Sequence, residues 1–507
     1  MIDINWHKLQ NGSDIRGVAL TGVEGEEVNL TPDVIATIGK AFTMWLSQEK
    51  GKKPSELVIS IGRDSRLSGE TLMNALMSSI ELLGVKVYDF AMASTPAMFM
   101  STITEGFNCD GGIMLTASHL PFNRNGLKFF TDKGGLEKQN ITDILTLAEK
   151  GEFPTNEKEG FIEKRDFMTV YANQFVSKIR EEVNHPDNFD TPLQGLKIIV
   201  DAGNGAGGFY ATKVLQPLGA DINGSQFLEP DGTFPNHIPN PENKEAMESI
   251  CQAVIRHQAD FGIIFDTDVD RSAAVDSQGK ELNRNKLIAL ISAIILKEHP
   301  HSTIVTDSIT SDGLTAFIEE DLQGKHHRFK RGYKNVINEA LRLNQEGTES
   351  WIAIETSGHA ALKENYFLDD GAYLVTKLLI ELAKLKLVNK DLTDLINNLK
   401  EPVESEEFRL IINAENFKEY GTKVIEKLTE FSANQPHWTI VPNNYEGIRV
   451  SCQSPSEKGW FLLRLSLHDP VLPLNIETNI EGGIEKIASR LLTFFQQFEQ
   501  LNLKDLL

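Results

Sequence analysis

The chain has 507 residues, 40% hydrophobic and 24% charged, a globular composition too long for one core, so roughly three or four domains are expected. Seventy-two acidic residues against 50 basic ones leave a formal charge of −22, which argues against non-specific nucleic-acid binding and attachment to an anionic membrane surface. The same charge means that any anionic substrate must be captured by local cations. Cys109, Cys251 and Cys452 are scattered, with no C-x-x-C pair; a disulfide framework and a zinc site are not expected, and a reducing compartment fits. The opening MIDINWHKLQNGSDIRG has no basic-then-apolar signal, and no segment reaches ~18 uninterrupted apolar residues. A cytoplasmic location is expected.

Near the start, Asp14-Ile15-Arg16-Gly17 puts an arginine in a glycine turn. The β-branched run Leu57–Ile61 leads into Gly62-Arg63-Asp64 and a helical pattern from Gly69. Farther on, Ile113-Met114-Leu115 ends abruptly in Thr116-Ala117-Ser118-His119. Pro121, Asn123, Asn125 and Gly126 then turn the chain before Leu127-Lys128-Phe129-Phe130 resumes an apolar pattern. A strand that ends on a hydroxyl, with an imidazole beside it and a lysine across a turn, is a mounting for a nucleophile. A serine that merely caps a turn gives the same local pattern.

The polar, proline-bearing stretch Val183–Pro192 marks a boundary. After it, Leu196–Val200 enters Asp201-Ala202-Gly203-Asn204-Gly205-Ala206-Gly207-Gly208 and a helix toward Leu218. Gly203, Gly205 and Gly208 satisfy G-x-G-x-x-G between a strand and a helix, as in a dinucleotide-binding turn. An NAD-dependent oxidoreductase is therefore one reading. Asp221 weakens it, because the ribose-binding acid should end the next strand and Asp221 precedes one. Close packing of a helix on a sheet also produces such a turn.

Phe261–Phe265 reads as a buried strand that delivers Asp266-Thr267-Asp268-Val269-Asp270-Arg271. Three carboxylates this close repel one another unless a cation lies between them. On an extended strand Asp266 and Asp270 would be ~13 Å apart, so a metal site requires the chain to curl into a tight loop. An all-carboxylate set selects a hard cation, Mg²⁺ before Ca²⁺; the alternative is a solvated acidic turn. Lys297–Ser302 marks the next boundary, and Thr303–Thr306 runs into Asp307-Ser308 and Thr310-Ser311-Asp312-Gly313, then a helix. Leu57–Ile61, Leu196–Val200 and Thr303–Thr306 thus open three α/β units of related design.

In Ile354-Glu355-Thr356-Ser357-Gly358-His359, a carboxylate, a hydroxyl and an imidazole alternate. On an extended chain all three face one way, an arrangement suited to sugar hydroxyls. Leu399–Pro402 closes a helical stretch, and Trp438–Val441, Gly447–Val450 and Trp460–Arg464 then follow as strands before a C-terminal helix, an α+β order. Arg449 and Arg464 fall in this region. Arg464-Leu465-Ser466, with no acidic residue before Asp469, is in kind a phosphate clamp.

Together these pieces resemble the α-D-phosphohexomutase family, which includes phosphoglucomutases and phosphomannomutases. Thr116–His119 with Asn125-Gly126-x-Lys128 is similar to its phosphoserine loop, and Asp266-x-Asp268-x-Asp270-Arg271 to its metal loop. Glu355-x-Ser357-Gly358-His359 is similar to its sugar-binding loop, Arg464-x-Ser466 to its phosphate-binding loop, and Gly332-Tyr333-Lys334, less closely, to a further substrate loop. The resemblance implies an α/β protein of four domains, three similar mixed α/β sandwiches and a C-terminal α+β domain, around a central cleft, over 1–188, 189–300, 301–400 and 401–507. It implies a phosphoryl group on Ser118, Mg²⁺ held by Asp266, Asp268 and Asp270, and interconversion of hexose 1- and 6-phosphates through a 1,6-bisphosphate. His119, Lys128 and Arg16 near Ser118, and His359 on the sugar side, become candidates for proton transfer. Arg271, Glu355, Ser357, His359, Gly332, Tyr333, Arg464 and Ser466 become substrate-binding candidates.

The expected partners are small sugar phosphates, with no nucleic acid and no membrane, for a monomer or small homo-oligomer. Leu120, Thr356 and Leu467-His468 depart from the family pattern and bear on which hexose is preferred, glucose and mannose phosphates being expected before glucosamine phosphate. A non-catalytic sugar-phosphate-binding protein is the remaining alternative.

Overall fold

Val58–Arg63, with Ile59 and Ile61 fully buried, centres the first sheet of a computed structural model that describes residues 4–154, 160–466 and 469–506. Leu467 and His468 lie outside the described residues. The chain divides into two compact units, Met1–Leu287 with Ser357–Asp394 and Ile288–Thr356 with Leu395–Leu507.

In the first unit, Val58–Arg63 pairs in parallel with Lys86–Met92 on one side and Gly111–Leu115 on the other. Gly111–Leu115 then pairs antiparallel with Arg124–Thr131, which pairs antiparallel with Asp14–Val18. All five residues of Gly111–Leu115 are buried, which explains an unbroken apolar run in place of an alternating one. The helices Pro32–Lys50, Gly69–Glu81 and Lys138–Lys150 share one apolar core with this sheet. The first of them shows its end signals plainly: Thr31 caps the Val34 amide, Pro32 opens it, and Gly51, at φ 62°, closes it.

The same plan recurs. Ile198–Asp201 pairs in parallel with Phe261–Phe265, which pairs antiparallel with Ser272–Asp276; parallel bridges from Lys197 to Asp221 and from Asp201 to Gln226 occupy the other flank. In the second unit, Thr303–Thr306 is flanked in parallel by Lys325–Arg328 and Ser350–Ile354. The strands Gly111–Leu115, Phe261–Phe265 and Ser350–Ile354 are therefore equivalent, and the loops bearing Ser118, Asp266 and Glu355 leave their carboxyl ends, where open α/β sheets bind ligands.

The C-terminal region is an antiparallel sheet in the order Trp438–Ile440, Ile448–Cys452, Gly459–Leu463, Val471–Thr478, Glu404–Ile412, Leu501–Asn502. Helices Phe417–Ala433 and Gly483–Phe495 share its core. Three of these strands match the expectation; Glu404–Ile412, Val471–Thr478 and the two-residue Leu501–Asn502 are additional. Only the second half of Glu404–Ile412 alternates, with Phe408, Leu410 and Ile412 buried, and its first half is acidic.

Three local expectations need correction. Asp14-Ile15-Arg16-Gly17 is not a turn but part of the strand Asp14–Val18, with Arg16 and Gly17 paired in the sheet. After Gly208 the helix is irregular, a π segment Tyr210–Leu215 followed by a 3₁₀ turn Gln216–Leu218. The chain is also not extended through 355–359. It turns at Thr356–Gly358, with Gly358 at φ 93°, so Glu355 belongs to the second unit while Ser357 and His359 belong to the first.

Candidate active site

The Asp-rich segment does curl. Val269, at φ 68°, and a bond from the Asp266 amide to the Arg271 carbonyl (3.2 Å) close a tight loop, a backbone conformation unusual for a β-branched residue. Ligand atoms of Asp266, Asp268 and Asp270 all lie within 4.8 Å of one another, and all three residues are buried. Lys128 pairs with Asp270 and lies 3.2 Å from Asp268, while Thr95 donates to Asp268. Arg271 donates from Nε to Asp266 Oδ2 (3.1 Å).

Burial and the neighbouring Asp270 and Asp268 hold the Asp266 carboxyl well above the usual carboxylate range. Asp270, equally buried, is pulled well below it by Lys128, His359 and Arg271. Asp268 Oδ1 and Asp270 Oδ1 have no hydrogen-bond partner among the described residues. Leaving anionic oxygens buried and unmatched is unfavourable, and an all-oxygen set of this kind fits a hard divalent cation.

Ser118 stands beside this loop. Its φ of 51° lies in the left-handed region, its amide donates to Thr116 Oγ1 (2.8 Å), and it is 6% exposed. Its Oγ donates to Asp266 Oδ2 (3.2 Å) and accepts from Arg271 Nη2 (2.8 Å). His119 Nδ1 is 3.3 Å from that Oγ and 2.6 Å from Arg271 Nη2. Burial, with Arg271 and Arg16, pushes the His119 imidazole down to about 3, so it is neutral at physiological pH. Arg16 lies on the strand Asp14–Val18, opposite Gly126, and pairs with Asp14 at 2.9 Å.

His359 joins the same cluster. Its Nδ1 is 2.6 Å from Asp369 and 4.0 Å from Asp270, and its backbone bridges Arg271. Although burial disfavours its charge, Asp369 and Asp270 raise its imidazole to about 9. Ser357 is buried, and the adjoining Gly358 approaches so closely that a Cβ there would meet the Ser272 carbonyl at 2.6 Å.

The second unit gathers the remaining candidates. Glu355 Oε1 accepts from the Gly332 amide (2.5 Å), and Tyr333 opens the helix Tyr333–Gln345. Ser466 Oγ accepts from the Asp469 amide (3.2 Å). Burial holds the Arg464 guanidinium below its ordinary value, with Glu446 opposing the fall and Arg331 adding to it. Arg449 serves the fold: it is 1% exposed, stacks 3.5 Å from the Trp460 ring centroid and donates to Ser308 O, Thr310 O and Asp312.

The Gly203 turn is filled by protein. A Cβ on Gly205 would lie 2.6 Å from the Thr267 carbonyl, on Gly208 2.3 Å from the Leu228 carbonyl, and on Gly203 2.7 Å from Pro239. These glycines let the turn pack on the Asp loop and leave no cradle for a pyrophosphate, so the dinucleotide reading is withdrawn.

Sequence reasoning passed over Arg66, which is 1% exposed and donates to the carbonyls of Ser118 (2.5 Å), Leu120 (2.6 Å), Pro121 (2.8 Å) and Arg124 (2.9 Å). One guanidinium thus shapes the whole Ser118 loop. Its only signal was a second arginine just past Arg63-Asp64. Thr95 and Asn240, which accepts from Arg271 at 3.2 Å, were also missed, because each reaches the site from a distant segment; so was Asp369, ten residues past its partner His359.

The chain matches the phosphoglucomutase/phosphomannomutase α/β/α domain I over residues 7–155, domain II over 173–279 and domain III over 283–403. It is 29% identical over 479 residues to a phosphoglucomutase of Neisseria meningitidis, covering 94% of each chain. It is 28% identical to a phosphomannomutase/phosphoglucomutase of Pseudomonas putida, covering 90% of this chain and 92% of that one. A crystal structure of a phosphoglucomutase/phosphomannomutase family protein from Burkholderia thailandensis superposes with a TM-score of 0.77 at 27% identity, covering 97% of this chain and 98% of that one. With three domain models matched in order and the acidic loop folded beside Ser118, the chain belongs to the α-D-phosphohexomutase family and is an isomerase-class enzyme.

Proposed function

We propose that this enzyme interconverts hexose 1-phosphate and hexose 6-phosphate, of glucose, mannose or both, by carrying a phosphoryl group on Ser118. The observation that carries the reading is the Ser118 hydroxyl held between Arg271 (2.8 Å) and Asp266 (3.2 Å) at the end of a buried strand. Phosphoryl transfer depends mainly on positioning and on neutralising charge around the transferring group, and Arg271 and Lys128 supply two buried cations there. Asp266, Asp268 and Asp270 fit Mg²⁺, which when bound supplies positive charge to a phosphate oxygen.

In the forward direction a sugar hydroxyl displaces Ser118 Oγ from phosphorus. The hydroxyl loses its proton to a base, and Ser118 Oγ takes one from an acid. His359, oriented through Nδ1 by Asp369, is our candidate on the sugar side, with His119, Lys128 and Arg16 on the serine side. The hexose 1,6-bisphosphate then returns its other phosphate to Ser118. Glu355 and Ser357 bind sugar hydroxyls in either orientation, with Gly332 and Tyr333 beside them, while Arg464 and Ser466 hold the phosphate that is not reacting.

We further propose four domains over 1–188, 189–300, 301–400 and 401–507, in a cytoplasmic monomer or small homo-oligomer. The three cysteines are buried and free, which suits a reducing compartment. No helix among the described residues is long and apolar enough to cross a membrane.

Coupled assays with glucose 1-phosphate, mannose 1-phosphate and glucosamine 6-phosphate, each primed with its bisphosphate, test the substrate class. Turnover of the first two is expected. Turnover of glucosamine 6-phosphate alone, or of none, contradicts the proposal.

A further inference from the structure

A polar path in the first unit runs from the strand Ile198–Asp201 to Ser118, and His237 is its middle link. Asp201, fully buried, already accepts from the Gly203 amide at 2.9 Å and from Gln226 Nε2 at 2.7 Å. His237 is also buried, with Nε2 at 3.1 and 3.0 Å from the two Asp201 oxygens and Nδ1 at 3.0 Å from the Ile238 carbonyl. A carboxylate and a carbonyl only accept, so both ring nitrogens donate and the imidazole carries both protons. Although burial disfavours that charge, Asp201, the Ile238 carbonyl and Glu245 raise the imidazole above its ordinary value.

The Ile238 carbonyl takes a second bond, from the Asn240 amide at 2.8 Å, which fixes the turn that carries the Asn240 side chain. Asn240 Oδ1 accepts from Arg271 Nη1 (3.2 Å), and Arg271 Nη2 donates to Ser118 Oγ (2.8 Å). The turn also lines a pocket of about 540 Å³, shared with His119 and Phe122, and Ile238 is exposed. A segment that lines a pocket packs on one side only, so the hydrogen bonds on its inner side decide its position. Arg271 has two carboxylates to turn toward, Asp266 at 3.0 Å and Glu242 at 3.9 Å. The neutral Asn240 orients Nη1 without adding charge to that set.

We propose that His237 is a positioning residue for phosphoryl transfer: by bridging Asp201 and the Ile238 carbonyl it holds Asn240 where Asn240 aims Arg271 at the Ser118 oxygen. The inference rests on the reading of Ser118 as the phosphoryl carrier and deepens it.

The test follows the rate at which Ser118 takes a phosphoryl group from glucose 1,6-bisphosphate, read by intact mass after rapid quenching, in a double-variant cycle. His237→Gln keeps a donor for Asp201 but loses the opposed one for Ile238, and Asn240→Ala removes the acceptor for Arg271. Each should slow transfer by about 10- to 100-fold, the range for misplacing a group that positions the reaction. The double variant should be no slower than Asn240→Ala alone, because both act along one path. Losses that multiply, or a His237→Gln rate within about twofold of wild type beside a lowered melting temperature, leave His237 a purely structural role and overturn the proposal. If wild-type Ser118 takes up no phosphoryl group, the carrier reading itself fails and the positioning role falls with it. Nitrogen-15 NMR of histidine-labelled wild-type enzyme gives an answer that does not depend on a variant's folding. The imidazole in contact with the Phe227 ring, 5.4 Å away between centroids, should show two protonated nitrogens at pH 7, and one bare nitrogen overturns the bridge.

Discussion

Replacing Arg66 with methionine should unfold the Ser118 loop from within. The guanidinium donates to four carbonyls of that loop and lies 3.3 Å from Asp64, with both side chains fully buried. A hydrogen bond from a charged donor contributes about 1.5–3 kcal/mol, and removing one member of a buried ion pair costs about 3–5 kcal/mol. These terms overlap, since the same side chain makes them all, so the expected loss is about 4–5 kcal/mol rather than their sum. The loss should also depend on pH. Burial already raises the Asp64 carboxyl to about 6 against the pull of Arg66, and without that pull it rises further. A carboxyl whose folded value is raised loses stability as pH increases through that value, so the variant's deficit should be larger at pH 8 than at pH 5. Urea denaturation at both pH values measures this. Arg66→Lys should fall between, because an ammonium cannot fork across four carbonyls. A deficit below about 1 kcal/mol, the range of ordinary surface changes, or one that does not grow with pH, refutes the assignment of Arg66 as the organiser of the loop.

Asp268→Asn should raise the stability of the metal-free protein by relieving repulsion in the acidic triad while abolishing Mg²⁺-dependent stabilisation and turnover; thermal melts with and without Mg²⁺ separate the two effects. Gly205→Ala should cost about 1–3 kcal/mol, the usual range for overpacking, and weaken Mg²⁺ binding, because its Cβ would press on the Thr267 carbonyl in the Asp loop; denaturation and calorimetry check both. Burial lifts the Glu477 carboxyl to about 7 despite Arg449, so it disfavours the folded state as pH rises from its unfolded value through about 7. Glu477→Gln should therefore shrink the stability difference between pH 5 and pH 8.5 by about 3 kcal/mol, and an unchanged difference in urea melts would contradict this.

Much of the site was legible because its residues are contiguous in sequence. Thr116–His119 and Asp266–Arg271 each follow a doubly buried strand, and a run of carboxylates that cannot coexist without a cation announces itself. The repeat was readable in outline from three β-branched strands, yet its consequence, that the Ser118, Asp266 and Glu355 loops leave equivalent strands, needed the pairing order. Arg66 and Thr95 were not legible, since their roles arise from contacts with segments far away in sequence, and Asp369 was not because nothing in its own segment marks it as the partner of His359 ten residues before it. The alternation at Glu355–His359 misled because Gly358 permits a turn that sequence spacing alone does not distinguish from an extended chain. The Gly203 motif misled in the opposite direction, its glycines being explained by the Thr267 and Leu228 backbones pressed against them.

The central claim is that Ser118 carries the phosphoryl group, and intact-mass spectrometry of the purified enzyme tests it most directly. Incubation with hexose 1,6-bisphosphate should add the mass of one phosphoryl group, fragmentation should place it on Ser118, and Ser118→Ala should lose both the adduct and the mutase activity. Full mutase activity in Ser118→Ala, or a phosphoryl group retained by that variant at the same stoichiometry, would contradict the account.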